Sequence, residues 1–141
     1  MLTTDTDIAR LLETTRTIAL VGASDRPERA AFEVMAALIA HGYHVIPVNP
    51  ALAGQLIHGQ TVVAALADIA EPIDMVDVFR RSEFVAGVVD EAIAVGAKSV
   101  WTQLDVIDFE AAAGAEAAGL QVVMDRCPKI EIRRLGVPKK K

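Results

Sequence analysis

A chain of 141 residues with 52% hydrophobic side chains is one ordinary folded domain, not a disordered one. The net charge of −5 argues against nucleic acid as a partner, and no apolar run reaches the roughly 20 residues that a bilayer-spanning helix needs, so no membrane partner is expected. A single cysteine, Cys127, excludes an internal disulfide.

The N-terminal stretch MLTTDTDIARLLE lacks the basic start and apolar stretch of a secretory signal. With the lone cysteine, this gives a reducing, cytoplasmic location as the expectation. Charge is unevenly placed. From Arg126 to Lys141 the chain carries seven basic residues and one acid, Glu131. The basic tail, 132–141, is expected to be a solvated, frayed terminus, with an anion contact as the alternative reading.

The elements alternate. Ile8, Leu11 and Leu12 fall at helical spacing, predicting a helix over Asp5–Thr14 with Thr4 or Asp5 as its cap. Thr17–Ala23 is a buried strand with no polar alternation. Ser24–Pro27 is a loop, and a helix follows over Glu28–His41, with Phe32, Met35, Ala36 and Ile39 on its apolar face and Gly42 ending it. Tyr43–Val48 is the second strand. Pro47 lacks an N–H, so that strand is irregular there or leaves one side unpaired. A glycine-bearing loop leads to a short third strand at Thr61–Val63 and a helical turn at Leu66–Ile69, broken by Glu71-Pro72. Asp74–Phe79 is the fourth strand. Helix Ser82–Val95 follows, with Ser82 as its N-cap and Gly96 at its end. Ser99–Leu104 is the fifth strand, Phe109–Ala118 a helix ended by Gly119, and Leu120–Met124 the sixth strand. No structure is assigned from Asp125 onward.

Strands alternating with helices predict an α/β fold: one Rossmann-like domain over 1–141, mostly parallel, with helices on both faces. Right-handed crossovers give the strand order 3-2-1-4-5-6. Ligands of such sheets bind in the crevice at the carboxyl ends of the strands, here between the loops after Ala23 and Phe79.

The first of those loops reads Val21-Gly-Ala-Ser-Asp-Arg-Pro-Glu-Arg29. Gly22 permits a tight turn, and the helix behind it offers its N-terminal amides to an anion. Ser24 adds a hydroxyl, and Arg26 and Arg29 add charge. The NAD fingerprint is broken, because Ser24 and Pro27 stand where its second and third glycines belong. Asn49-Pro50 also replaces the acid expected at the end of strand two, and no Walker lysine motif exists. A phosphate-bearing nucleotide other than NAD fits, and coenzyme A is the candidate.

Five motifs carry a resemblance: Val21-Gly-Ala-Ser24, Val45-Ile-Pro-Val-Asn-Pro50, Asp74-Met-Val-Asp-Val-Phe-Arg80, Trp101-Thr-Gln103 and Asp125-Arg-Cys-Pro-Lys129. In that order, over roughly Thr17 to Glu131, they resemble the small stand-alone CoA-binding-domain proteins of bacteria. That family is similar to the nucleotide-binding domain of the succinyl-CoA synthetase alpha subunit. The resemblance implies that Gly22, Ala23 and Ser24 hold the diphosphate and that Val48, Asn49 and Pro50 border the adenosine. It implies that Val78, Phe79 and Arg80 form the opposite wall and that Gln103 lies near the pantetheine. Asp105 stands where relatives usually carry glycine. It adds a negative side chain that would weaken CoA binding or shift the loop, although Asp adopts the left-handed conformation more readily than most residues.

Nothing in the sequence assembles catalytic chemistry. His41, His44 and His58 are dispersed, without an evident triad, and with one cysteine they are poor metal-site material. Asp74 and Asp77, three apart in a strand, point to opposite faces. Trp101 reads as core, Phe79 as core or an adenine stack, and Arg80 as a solvated strand end or a ligand contact. Cys127, between Arg126 and Lys129, reads as a small buried residue. The alternative is a thiol activated by its basic neighbours, which could form a mixed disulfide with CoA. The sequence therefore predicts a module that binds coenzyme A or an acyl-CoA without catalysis. An atypical NAD(P)-linked oxidoreductase and a partner subunit of a split acyl-CoA synthetase are the alternatives. A protein partner or homo-oligomer stays open.

Overall fold

The alternating runs form one parallel sheet between two helical layers in the computed structural model, which describes residues 1–141. The elements are α1 (Asp5–Thr14), β1 (Thr17–Val21), α2 (Ala30–Ala40), β2 (His44–Val48), β3 (Leu56–Ile57), β4 (Gln60–Thr61), β5 (Met75–Val78), α3 (Val85–Ala94), β6 (Ser99–Thr102), α4 (Phe109–Ala117), β7 (Gln121–Val123) and α5 (Pro128–Leu135). Short 3-10 turns lie at Pro50–Leu52, Leu66–Asp68 and Ser82–Phe84.

The sheet runs β2-β1-β5-β6-β7, all parallel. This is the Rossmann-like α/β fold, with the expected order kept in five strands. The expected third strand is reduced to a single bridge between Val48 and Val63, because Gln60 and Thr61 pair instead in the β3–β4 hairpin. Pro47 is tolerated at this margin. Its carbonyl accepts from the Val63 N–H at 3.0 Å, so its ring nitrogen faces the outer edge, where no donor is needed.

Strand alternation divides the core in two. Ile18, Leu20, Met75, Trp101 and Val123 face α1, α2 and α5. Ala19, Val21, Val76, Val78, Val100 and Val122 face α3 and α4. The alanines Ala111, Ala112 and Ala115 let α4 pack closely there. Asp77 pairs in register with Leu20 and Trp101 and so points into the first core, fully buried.

Thr4 caps α1 by accepting the Asp7 N–H at 3.2 Å. The buried face of α2 is Ala31, Val34, Met35 and Leu38, so the expected stripe is rotated: of its members only Met35 is fully buried, while Phe32, Ala36 and Ile39 sit half-buried. Ser82 does not cap α3. It lies inside the 3-10 turn, and its Oγ accepts the Ile107 N–H at 2.9 Å, tying the loops after β5 and β6 together.

The C-terminal segment is not frayed. Pro128 opens α5, and Gly136, at φ +64°, closes it. Ile132 and Val137 are buried in the first core. Arg134 holds both Glu131, at 2.6 Å, and Asp5, at 2.8 Å, which fastens α5 to α1. Lys140 donates its backbone N–H to His41 and its Nζ to the Glu13 carbonyl.

Candidate functional site

The loops after β1, β2 and β5 meet at the carboxyl edge of the sheet, where β1 stands between β2 and β5. Gly22 turns the chain at φ +89°. Its N–H and that of Ala23 both donate to the Val48 carbonyl, at 3.0 and 3.2 Å. The Asn49 side chain donates to the Ala23 carbonyl at 2.8 Å and accepts the Ala51 N–H at 2.9 Å. Gly22, Ala23, Val48 and Asn49 thus knit the two loops to each other. The amides of Gly22 and Ala23 are engaged within the chain, which leaves these residues to shape the floor of the crevice.

Beside that floor lies a cavity of about 520 Å³, bordered by Gly22, Ala23, Ser24, Asp25, Arg26, Arg29, Ala30, Ala31, Asn49 and Phe79, among others. Arg29 occupies the capping position of α2 without a side-chain cap, and the N–H groups of Ala30 and Ala31 find no acceptor in the chain. Such unmatched amides at a helix start attract anions. Neither Arg26 nor Arg29 enters any ion pair. The Ser24 Oγ accepts the Arg26 N–H at 3.1 Å, which sets the loop and leaves the hydroxyl proton to donate. Asp25 is the one acid on this wall.

A second cavity, of about 690 Å³, adjoins the first across Phe79 and Ala30. Its walls are largely apolar: Val34, Leu104, Val106 and Ile130, with Gln103, Asp105, Cys127 and Lys129 set among them. Gln103 is only 8% exposed, and its Oε1 has no hydrogen-bond partner. A third recess, of about 320 Å³, lies on the other side of the floor, between Gly22, Asn49, Pro50, Ala64, Ala65 and Arg80. Arg80 lays its guanidinium over the Phe84 ring at 3.9 Å, between the apolar cavity and this recess.

Of the twelve expected site residues, Gly22, Ala23, Ser24, Arg26, Arg29, Val48, Asn49, Pro50, Phe79, Arg80 and Gln103 line this chain of three cavities. Val78 does not. It is fully buried against the α3 layer, because the alternation of β5 turns it from the crevice that Phe79 borders. The free amides expected at the start of the helix after this loop are those of Ala30 and Ala31, because the helix begins at Ala30 and not at Glu28. Sequence reasoning missed Ile130, although Pro128 and Gly136 bracket its helix with the residues that favour a helix start and stop.

The remaining candidates are structural. His41 and His58 place Nε2 at 2.9 Å from the carbonyls of Val137 and Phe32, and His44 pairs with Glu71. Trp101 is buried and donates Nε1–H to the Arg126 carbonyl at 2.7 Å. Asp74 accepts the N–H groups of Arg16 and Thr17. Burial raises its carboxyl, but those two bonds and Lys98 outweigh that and hold it below its ordinary value. Arg126 and Lys129, which flank Cys127 in sequence, are held by Glu131 at 3.0 Å and Glu33 at 2.5 Å. Asp105 takes the left-handed conformation at φ +66° and donates its N–H to the Asp125 carboxylate, so the turn forms with aspartate at this position. It borders the apolar cavity, not the one that holds Arg26 and Arg29.

Residues 16–133 match the model of a family described as CoA binding domain. The chain is 40% identical over 124 residues to the uncharacterized protein YneT of Bacillus subtilis, covering 88% of this chain and 90% of that protein. A hypothetical protein from Pyrococcus horikoshii is 42% identical and superposes with a TM-score of 0.89, over 94% of this chain and 92% of that one. A dinucleotide-forming acetyl-coenzyme A synthetase from Ca. Korarchaeum cryptofilum is 26% identical with a TM-score of 0.68, over 83% of this chain but only 27% of the synthetase.

Proposed function

Since the chain belongs to the CoA-binding-domain family, we propose that it binds coenzyme A or an acyl-CoA along the three joined cavities, as a non-catalytic binding module. The observation that carries this reading is the junction at Phe79 and Ala30 of a cationic, amide-rich cavity with an apolar one. Coenzyme A has that build: a phosphorylated nucleotide at one end and a long, sparsely polar arm at the other. Ser24, Arg26, Arg29 and the amides of Ala30 and Ala31 take the phosphates. The recess by Pro50 and Arg80 takes the adenosine. Phe79 guides the pantetheine arm into the apolar cavity, where the carboxamide of Gln103 meets its amides. When bound, the cofactor supplies a thiol or thioester at that inner end.

The chain's own residues hold and shield this end. No histidine faces the cavities, and no cluster of His, Cys, Asp and Glu residues is placed to hold a metal ion. An NAD(P) dehydrogenase is disfavoured by Asn49. Its side chain is engaged with Ala23 and Ala51 at the position where a ribose diol would need a carboxylate acceptor. The likeness to one part of an acetyl-coenzyme A synthetase favours a second reading, in which this module serves a separate acyl-CoA synthetase subunit.

Calorimetric titration with CoA, dephospho-CoA and NAD tests the main reading. CoA binding ahead of both others is expected. Preference for NAD, or no binding of any of the three, would overturn it. Co-purification with an ATP-grasp-type subunit would support the second reading.

A further inference from the structure

Resting on the CoA reading, we propose that Cys127 is a thiol–disulfide exchange site at which the module captures CoA from CoA disulfide as a protein–CoA mixed disulfide.

Two independent observations meet in one cavity. Cys127 is 6% exposed, free of any disulfide, and forms part of the wall of the apolar cavity. Gln103, on the same wall, is buried with its Oε1 unmatched. A buried carboxamide oxygen without a partner is rare in folded proteins and is explained when a ligand completes it. The pantetheine arm carries amides along its length and ends in the sulfur. An arm that enters past Phe79 and meets Gln103 is directed toward Cys127.

The chemistry balances without an outside oxidant. The Cys127 thiolate attacks one sulfur of CoA disulfide. The sulfur–sulfur bond of the disulfide breaks and a new one forms to Cys127 Sγ. The second CoA leaves as a thiolate and takes up the proton that Cys127 gave up. One disulfide is consumed and one is made. Selectivity comes from the rest of the site: Arg26 and Arg29 anchor the phosphates, which a peptide disulfide lacks.

The test is intact-mass spectrometry under non-reducing conditions, following adduct formation with CoA disulfide and, separately, with glutathione disulfide. Calorimetry of the reduced protein with CoA runs in parallel. Reaction with CoA disulfide is expected to be roughly a hundredfold faster, since a docked disulfide reacts as if intramolecularly. The doubly substituted Arg26→Ala/Arg29→Ala protein is expected to slow that reaction while leaving the glutathione reaction unchanged. Equal rates for the two disulfides would overturn the inference, and so would an absent adduct in protein that still binds CoA reversibly. In either case the CoA reading stands. If CoA fails to bind at all, both fall together.

Discussion

The carbonyl oxygen of Phe79 stands 2.5 Å from the point where a Cβ on Gly22 would sit. Gly22 is thus fixed by the close approach of the β1 loop to the end of β5, and not only by room for a phosphate. Gly22→Ala would meet that backbone and also force a side chain to φ +89°. We expect it to destabilise the fold by about 3 kcal/mol, with CoA binding lost as a consequence. Urea unfolding checks this. An unchanged midpoint would mean that the loop relaxes and that glycine is needed only by the ligand.

Arg26 and Arg29 are exposed and carry no ion pair, so their removal should touch binding and not folding. Each Arg→Ala substitution is expected to weaken CoA affinity roughly three- to tenfold, the scale of one charge-assisted contact. The unfolding midpoint should hold within the spread of ordinary surface changes, about 0.5 kcal/mol. Titration calorimetry at two salt concentrations reads both the affinity and its salt slope, which should flatten in the variants. Full affinity in both variants would move the phosphates away from this loop.

The fold was legible because its signals are periodic. Short runs rich in apolar residues marked each parallel strand, and Gly42, Gly96 and Gly119, all at positive φ, marked where helices end. The crevice was legible from topology alone, since the switch point follows from strand order. What stayed hidden depends on which way a group faces. Val78 looked like a wall residue beside Phe79, but one position along a strand exchanges crevice for core. The engagement of the Gly22 and Ala23 amides with Val48 comes from a loop crossing that no local pattern encodes. The tail was misjudged because its seven positive charges, counted from Arg126, hide the apolar positions Ile132 and Val137.

That tail supplies a prediction of its own. Deleting 132–141 removes Ile132 and Val137 from the core, the Arg134 clasp on Asp5, and the Lys140 contacts with His41 and Glu13. Burial of the two apolar side chains alone is worth roughly 4 kcal/mol. The shortened protein should unfold at markedly lower urea, or fail to fold at 37 °C. A deletion with wild-type stability would restore the picture of a loose terminus.

Asp77 sets a pH dependence that can be isolated. It lies fully buried between Leu20 and Trp101 with neither carboxylate oxygen bonded, and burial pushes its carboxyl well above the ordinary value of 3.8. Between 3.8 and that raised value the native protein keeps a proton that the unfolded chain releases. The native state therefore binds more protons, and this group's contribution to stability falls as pH rises through the window. Asp5, Glu33 and Asp74 are shifted downward and act with the opposite sign, favouring the folded state as pH rises. They are common to wild type and to Asp77→Asn, so the difference between the two stability curves reports Asp77 alone. That difference should be smallest near pH 4 and should grow in favour of the asparagine variant by up to roughly 1.4 kcal/mol per pH unit inside the window. Urea titrations from pH 4 to 8 on both proteins measure it. Parallel curves would mean that Asp77 ionises normally in the native state, which requires water or a partner to reach a carboxylate that this packing seals off.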